Sequence, residues 1–358
     1  MNPRSPMQPT ASRSGLDNVE LRDLIRRHVS LFRPLVGASL LITGATGWFG
    51  VWMLDLLCMA DDLLALQLNV TAVSRQPGRF LGRFPAFADD PRIRWVEADV
   101  RDLKISGEFT HFIHAAADTV LGSDSAAPRA LFDTILDGTR KVVDAAGPNC
   151  KSVLLLSSGA VYGPARPDQF RFIETAINGP DPTLARNAYA EGKRAAEMIG
   201  AISANCGTPV RIARCFAFVG PHMPFDRHFA IGNFIADAVS ERPIRIKSDG
   251  RPQRSYLYMT DLMVALLTIL QNGVIGRAYN VGSEVAVSIE QLAHVVNRAV
   301  KGRGVIIDGV PSDPSDRYVP DTTRLRTELD FVPKVTLDEA ISRSAAWYRA
   351  RIHDSMRS

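Results

Sequence analysis

A doubly wound parallel α/β sheet with a smaller C-terminal lobe is the fold that this 358-residue sequence predicts, and three observations predict it. Short apolar runs alternate with helical stretches over residues 39–215, the β-α rhythm of a sheet covered on both faces. A glycine-rich turn, Thr43-Gly44-Ala45-Thr46-Gly47-Trp48-Phe49-Gly50, stands between the first apolar run and the first long helix. Beyond Cys215 the alternation breaks, and Pro221, Pro224, Pro243, Pro252, Pro311, Pro314 and Pro320 cut the chain into short pieces.

Residues 1 to about 16 are rich in Pro, Ser, Arg and Gln and are expected to be disordered. Over 17–33, Leu21, Leu24, Ile25, Val29 and Phe32 recur at helical spacing until Pro34 stops the pattern. That segment reads as an amphipathic helix packed on the main domain or on a sister subunit. Strands are expected at 40–42, 70–73, 93–96, 112–114, 153–156 and 210–214. Helices are expected over 47–64 and 128–146, with another carrying Tyr189 and Lys193. The expected partition is an N-terminal extension (1–38), a main sheet domain (39–215) and a lobe (216–358) that returns in part to the main domain.

Composition narrows the function classes. Apolar residues make up 46% and charged residues 22%, as in an ordinary globular protein. Net charge is +4, and six arginines against three carboxylates in the first 36 residues account for most of it. The remainder is nearly neutral, which argues against a nucleic-acid surface. Cys58, Cys150, Cys206 and Cys215 show no metal-ligand spacing, so no metal site is expected. No apolar run is long enough for a membrane span, and no secretory signal opens the chain; a cytoplasmic protein is the expectation.

The glycine turn has the features of a dinucleotide pyrophosphate cradle. Gly44, Gly47 and Gly50 allow a tight turn, close approach of backbone N–H groups to phosphate, and close helix packing. Thr46, Trp48 and Phe49 share that loop, and the domain is read as a Rossmann fold. The second strand ends Val73-Ser74-Arg75, where an NAD site usually offers a carboxylate to the adenosine ribose. A hydroxyl and a guanidinium suit a 2′-phosphate, so NADP(H) is favoured and NAD(H) is the alternative. Asp99 and Val100, after the third strand, are expected to flank the adenine. Tyr189-Ala190-Glu191-Gly192-Lys193 places a phenol and an amine one helical turn apart on one face. A free phenol, with a pKa of roughly 10, is a poor base, and a neighbouring ammonium favours its ionised form. Tyr189 would then move a proton at a sugar hydroxyl while hydride moves at its carbon, with Ser158 orienting the same oxygen.

These segments resemble the extended branch of the short-chain dehydrogenase/reductases, the nucleotide-sugar epimerase/dehydratase group, over roughly residues 39–348. TGATGWFG is similar to the family's TGxxGxxG, and His114-Ala115-Ala116 to its fourth-strand motif, which implies cofactor contacts for Ala115 and Ala116. Ser157-Ser158-Gly159-Ala160-Val161-Tyr162-Gly163 resembles the serine motif, and Arg214-Cys215-Phe216-Ala217-Phe218-Val219-Gly220-Pro221 the RxxNxxGP segment. Arg254-Ser255-Tyr256-Leu257-Tyr258 and Tyr279-Asn280-Val281-Gly282 match later family stretches. The resemblance implies a nucleoside-diphosphate sugar bound by the C-terminal lobe, with Arg254 first, Arg317 second and Asn233 as candidate ligands. It also implies a homodimer.

Departures narrow the chemistry. Gly159 and Ala160 stand where family members that eliminate water carry Asp-Glu, which disfavours a 4,6-dehydratase. A decarboxylase, too, would need an acid/base that the sequence does not supply. Ala217, Ile135 and Ser255 replace an expected Asn, Asn and Asp. NADPH-dependent reduction of a nucleotide-linked 4-keto-6-deoxyhexose is the first reading, and 4-epimerisation with tightly bound NAD is the second. A non-enzymatic NADP sensor is the non-catalytic alternative, which retention of both Tyr189 and Lys193 counts against.

Overall fold

The computed structural model describes residues 11–104, 107–116, 127–176, 178–224, 229–310 and 316–355. In chain order come α1 (Asn18–Arg27), α2 (Val29–Phe32), β1 (Ser39–Thr43), α3 (Trp48–Leu64), β2 (Asn69–Ser74), α4 (Pro77–Arg83) and β3 (Ile93–Glu97). Next are β4 (His111–His114), α5 (Ala127–Asp144), β5 (Ser152–Ser158), α6 (Ala188–Asn205), β6 (Val210–Cys215) and β7 (Phe218–Val219). After α7 (Ala230–Val239) lie β8 (Ile244–Ile246), β9 (Gln253–Arg254), β10 (Leu257–Tyr258), α8 (Met259–Asn272) and β11 (Ala278–Val281). The chain finishes with β12 (Val287–Ser288), α9 (Ile289–Val300), β13 (Val305–Ile307), β14 (Arg317–Tyr318), α10 (Thr323–Leu329) and α11 (Leu337–Ser355).

Seven strands form the main sheet in the order β11-β6-β5-β4-β1-β2-β3. The pairings of β1 with β2 and β4, of β2 with β3, and of β4 with β5 are parallel. Such a sheet is buried on both faces, and β4 and β5 are accordingly buried at every position. Strand order reverses between β1 and β4, which opens a crevice at their carboxyl ends, the place where doubly wound sheets bind ligands.

The chain divides into two compact units. The first runs to Val161 and adds Gly179–Arg214 and Met263–Tyr279; the second holds Tyr162–Asn178, Cys215–Leu262 and the chain from Asn280 onward. Two segments therefore depart from a simple division at 215. Residues 162–178 leave the first unit because Phe172 exchanges backbone bonds with Val319 and Asp321 (2.9 and 2.8 Å). Residues 263–279 return to it: Ser152 Oγ donates to the Leu270 carbonyl at 2.7 Å, and Arg211 Nε to that of Gly273 at 2.6 Å. In the second unit α7, α9 and α11 pack on one another, and Ser288 with Gln291 forms a capping box that starts α9.

Disorder expected up to about residue 16 is corrected for residues 11–16; residues 1–10 lie outside the described residues. Helix α3 is buried from Gly50 to Ala60, so its outer side needs a cover, and the N-terminal segment supplies one. Leu21, Leu24 and Ile25 of α1 are buried, α1 packs on α3, and Asp17 caps α1 by accepting from the N–H groups of Val19 and Glu20. The amphipathic stretch predicted over 17–33 breaks at His28 (φ −123°, ψ 33°), where α1 gives way to α2. Upstream, Ser12, Arg13 and Ser14 close on the buried carboxylate of Asp55, with Arg13 N at 3.0 Å, Ser14 N at 3.1 Å and both serine hydroxyls donating. Arg13 also pairs with Asp90 (2.7 Å) and Asp62 (3.2 Å), beside Arg92, which binds Asp61, Asp62 and Asp90.

Candidate active site

The glycine turn meets the end of β4 at the crevice. Gly44 has φ +70°, and a Cβ there would lie 2.7 Å from the carbonyl of Ala115 and 2.8 Å from the nitrogen of Ala116. A Cβ on Gly50 would overlap the Ala45 carbonyl and lie 2.5 Å from that of Gly44. Gly47 starts α3, a 17-residue helix, with no side-chain cap, so the positive end of the helix dipole faces the turn. A cradle that a single methyl would fill, below an uncapped helix, fits a dinucleotide pyrophosphate.

Around that cradle, Thr46 and Ser74 are hydroxyl-bonded at 2.9 Å, and Ser74 Oγ also accepts from Gln76 N at 3.3 Å. Trp48 and Phe49 stack obliquely at 5.8 Å. Asp99 is gripped by both arms of Arg101 at 2.9 Å. Those hydrogen bonds hold its carboxyl below the usual range against a burial effect, and the charge of Arg75 adds to them. Val100 is a core residue, with a methyl 2.7 Å from where a Cβ on Gly138 would sit.

Tyr189, Lys193 and Ser158 are positioned by the packing of α5, α6 and β5. Gly192 of α6 faces Ile135 of α5, where a Cβ would lie 3.2 Å from Ile135 Cδ1. Ile135, standing in place of an expected Asn, thus serves this helix contact. Tyr189 is half-buried and packs on the core cluster to which Leu131 and Ile135 belong. Lys193 is buried, and its Nζ donates to the Leu156 carbonyl at 2.6 Å, two residues before Ser158. Ser158, also buried, accepts from Ala160 N at 3.1 Å, which orients its hydroxyl. Gly159 and Ala160 enter a single 3₁₀ turn, and neither offers an ionisable group next to that hydroxyl.

Several polar residues of this region escape a reading by motif. Ser157 Oγ donates to Glu197 at 2.5 Å, and Glu197 takes a bidentate grip from Arg214 (2.7 to 3.2 Å). Glu197 lies four residues beyond Lys193 on the same helix face, a spacing that could have exposed it. His114 lies between Thr43 (2.7 Å) and Thr139 (3.3 Å).

In the second unit, β9 pairs with β14 so that Arg317 is opposite Gln253 and Tyr318 opposite Arg254. Arg254 and Arg317 therefore project to opposite faces of this small sheet and are not brought together. Arg254 is engaged by Asp316 at 2.6 Å, while Arg317 lies over the Phe170 ring at 4.9 Å. Asn233 sits in the first turn of α7, half-buried, its backbone N–H bonded to the Phe229 carbonyl. Asn280 ties three segments: it accepts from Tyr162 at 2.7 Å and donates to the carbonyls of Phe172 (2.8 Å) and Asp321 (3.0 Å). Among the described residues no cluster of metal-ligating side chains occurs, and no helix is long and apolar enough to cross a membrane.

Comparison with known proteins bears on this arrangement. UDP-glucuronic acid decarboxylase 1 of Arabidopsis thaliana is 28% identical over 317 residues, covering 87% of this chain and 70% of that protein. Among solved structures, a dTDP-glucose 4,6-dehydratase from Streptomyces venezuelae with NAD and TYD bound superposes with a TM-score of 0.72 at 21% identity (88% of this chain, 98% of the other). The UDP-glucuronic acid 4-epimerase of Bacillus cereus in complex with NAD also gives 0.72, at 18% identity (87% and 99%), and these two show the shared fold. The sequence pattern of one family matches residues 40–282, the stretch that runs from β1 through the glycine cradle and the Tyr189–Lys193 helix to the end of β11. This chain belongs to the NAD-dependent epimerase/dehydratase family.

Proposed function

We propose that the chain interconverts carbinol and carbonyl at C4 of a nucleoside-diphosphate sugar and that its net reaction is 4-epimerisation. The observation that carries this reading is the turn after Ser158, where Gly159 and Ala160 leave Ser158, Tyr189 and Lys193 to act alone. Elimination or decarboxylation needs a further acid/base beside the sugar; proton exchange at one carbinol oxygen does not. The nicotinamide, when bound in the Gly44–Gly50 cradle, would supply a hydride acceptor and donor. Tyr189 takes the proton of the C4 hydroxyl and later returns it, Lys193 favours the ionised phenol, and Ser158 holds the oxygen in place. Arg254 and Asn233 are the candidates for the nucleotide, Arg317, on the other face of the β9–β14 sheet, is the alternative to Arg254, and a homodimer belongs to the same proposal.

Reduction of a 4-keto sugar by NADPH is the second reading, favoured by Arg75 at the end of β2. Two observations count for NAD: the similar structures named above contain it, and Arg75 lies within electrostatic reach of the Asp99 carboxylate. Denaturing the purified protein and identifying any dinucleotide released, then incubating the native protein with UDP-glucose, UDP-glucuronic acid and dTDP-glucose, tests the choice. Retained NAD and a C4 epimer are expected. Tyr189→Phe should keep the dinucleotide and lose about 10²- to 10⁴-fold in turnover. Consumption of NADPH with a 4-keto sugar, and no epimer from any substrate, would replace epimerisation by reduction.

A further inference from the structure

We infer that Thr43, His114 and Thr139 form an ordered hydrogen-bond relay that sets the dinucleotide crevice from behind, with His114 held as the neutral Nε2–H tautomer. Donor counting fixes every proton. Thr139 Oγ1 donates its single proton to the Ile135 carbonyl at 2.7 Å, so towards His114 Nε2, 3.3 Å away, it accepts. Nε2 therefore carries hydrogen. The ring is buried against charging, with Lys193 adding to the effect, so Nδ1 is bare and accepts from Thr43 Oγ1 at 2.7 Å. Thr43 Oγ1, its proton spent, is left as the acceptor for Ala116 N–H at 3.3 Å.

The far end of this relay is the crevice wall. Ala115 N donates to the Thr43 carbonyl at 3.2 Å and Ala116 N to the Thr43 hydroxyl. Both bonds fix the Ala115–Ala116 peptide against Gly44, where there is no room for a methyl. The bond to His114 fixes the rotamer in which the Thr43 hydroxyl presents a lone pair to Ala116, and His114 is itself oriented by α5 through Thr139. These are positioning residues, since none needs to touch a ligand.

This inference rests on the crevice being a dinucleotide site, and its test reads the two ideas separately. Nitrogen NMR of the full chain with labelled histidine, with His114→Gln for assignment, should find the proton of His114 on Nε2. Titration with NAD⁺ and with NADPH should find binding weakened about tenfold in Thr139→Val, the effect of one misplaced buried hydrogen bond. Thr139→Ser should restore it to within about twofold of wild type. Should Thr139→Val not fold, Thr43→Val against Thr43→Ser makes the same comparison. A proton on Nδ1 of His114, or valine variants that bind as wild type, would overturn the relay. Wild-type protein that binds neither dinucleotide overturns the cofactor reading instead, and the labelled histidines, whose tautomers need no ligand, still decide the relay.

Discussion

A side chain at position 44 meets two obstacles at once: a backbone at φ +70° and the Ala115 carbonyl at 2.7 Å. Neither yields cheaply, since one is intrinsic to L-residues and the other is main chain of the neighbouring strand. Gly44→Ala is expected to cost about 2 kcal/mol of stability and at least about tenfold in dinucleotide affinity. Gly78 and Gly82 in α4 have nothing within 4 Å of where a methyl would sit, so alanine there should be neutral or slightly stabilising. Thermal denaturation and fluorescence titration of the three variants check this, and equal effects at all three positions would contradict it. The turn at Gly44 and the shared helix face of Tyr189 and Lys193 were legible in the sequence, because both depend on residue type and local spacing. The Thr43–His114–Thr139 relay was not, because its hydrogen bonds join residues 71 and 25 apart. Nor was the separation of Arg254 from Arg317, which depends on a register of two-residue strands that carry no periodic signal.

Helix α3 explains why the protein has its N-terminal extension. The helix is buried at every position from Gly50 to Ala60, Asp55 included, and α1 with residues 12–14 supplies part of its cover. Strand and helix positions in the main sheet followed from period and glycine punctuation. The segment before α1 was misread because a polar composition looks the same whether it is solvated or bonded to buried carboxylates. Its partners, Asp55, Asp62 and Asp90, lie 41 to 77 residues downstream. Arg13, Asp62 and Asp90 have nearly fully buried side chains, so removing the arginine leaves Arg92 alone among the carboxylates. Arg13→Met is expected to destabilise the protein by about 3 kcal/mol. Urea unfolding measures this, and an unchanged midpoint would show that the segment is an ornament of α3 and not its cover.

The histidines of β4 give the whole molecule a pH dependence whose sign can be worked out. Burial pushes His111 down to about 4, helped by Lys151 and Arg211, and pushes His114 down to about 3, helped by Lys193. Unfolding returns both rings to an ordinary value near about 6.5. Below that pH the unfolded chain binds protons that the folded chain refuses, so stability falls as pH falls, by about 1.4 kcal/mol per unit for each ring. Two other shifted groups act in opposite senses. The Asp90 carboxyl is held below its usual range, because the hydrogen bonds of Arg92 and the charge of Arg13 outweigh its burial. Its contribution therefore persists through the same window and is lost only at lower pH. Glu174 is raised, chiefly by burial, and so opposes the trend as its carboxyl takes up a proton. Between pH 7 and pH 5.5 the two rings should together contribute a loss of about 2 to 3 kcal/mol by urea unfolding. His114→Gln should remove about half of that slope, because His111 titrates independently of it. A profile flat from pH 7 to 5.5 would mean that these rings accept protons inside the fold, which the closed hydrogen bonds on both sides of His114 do not allow.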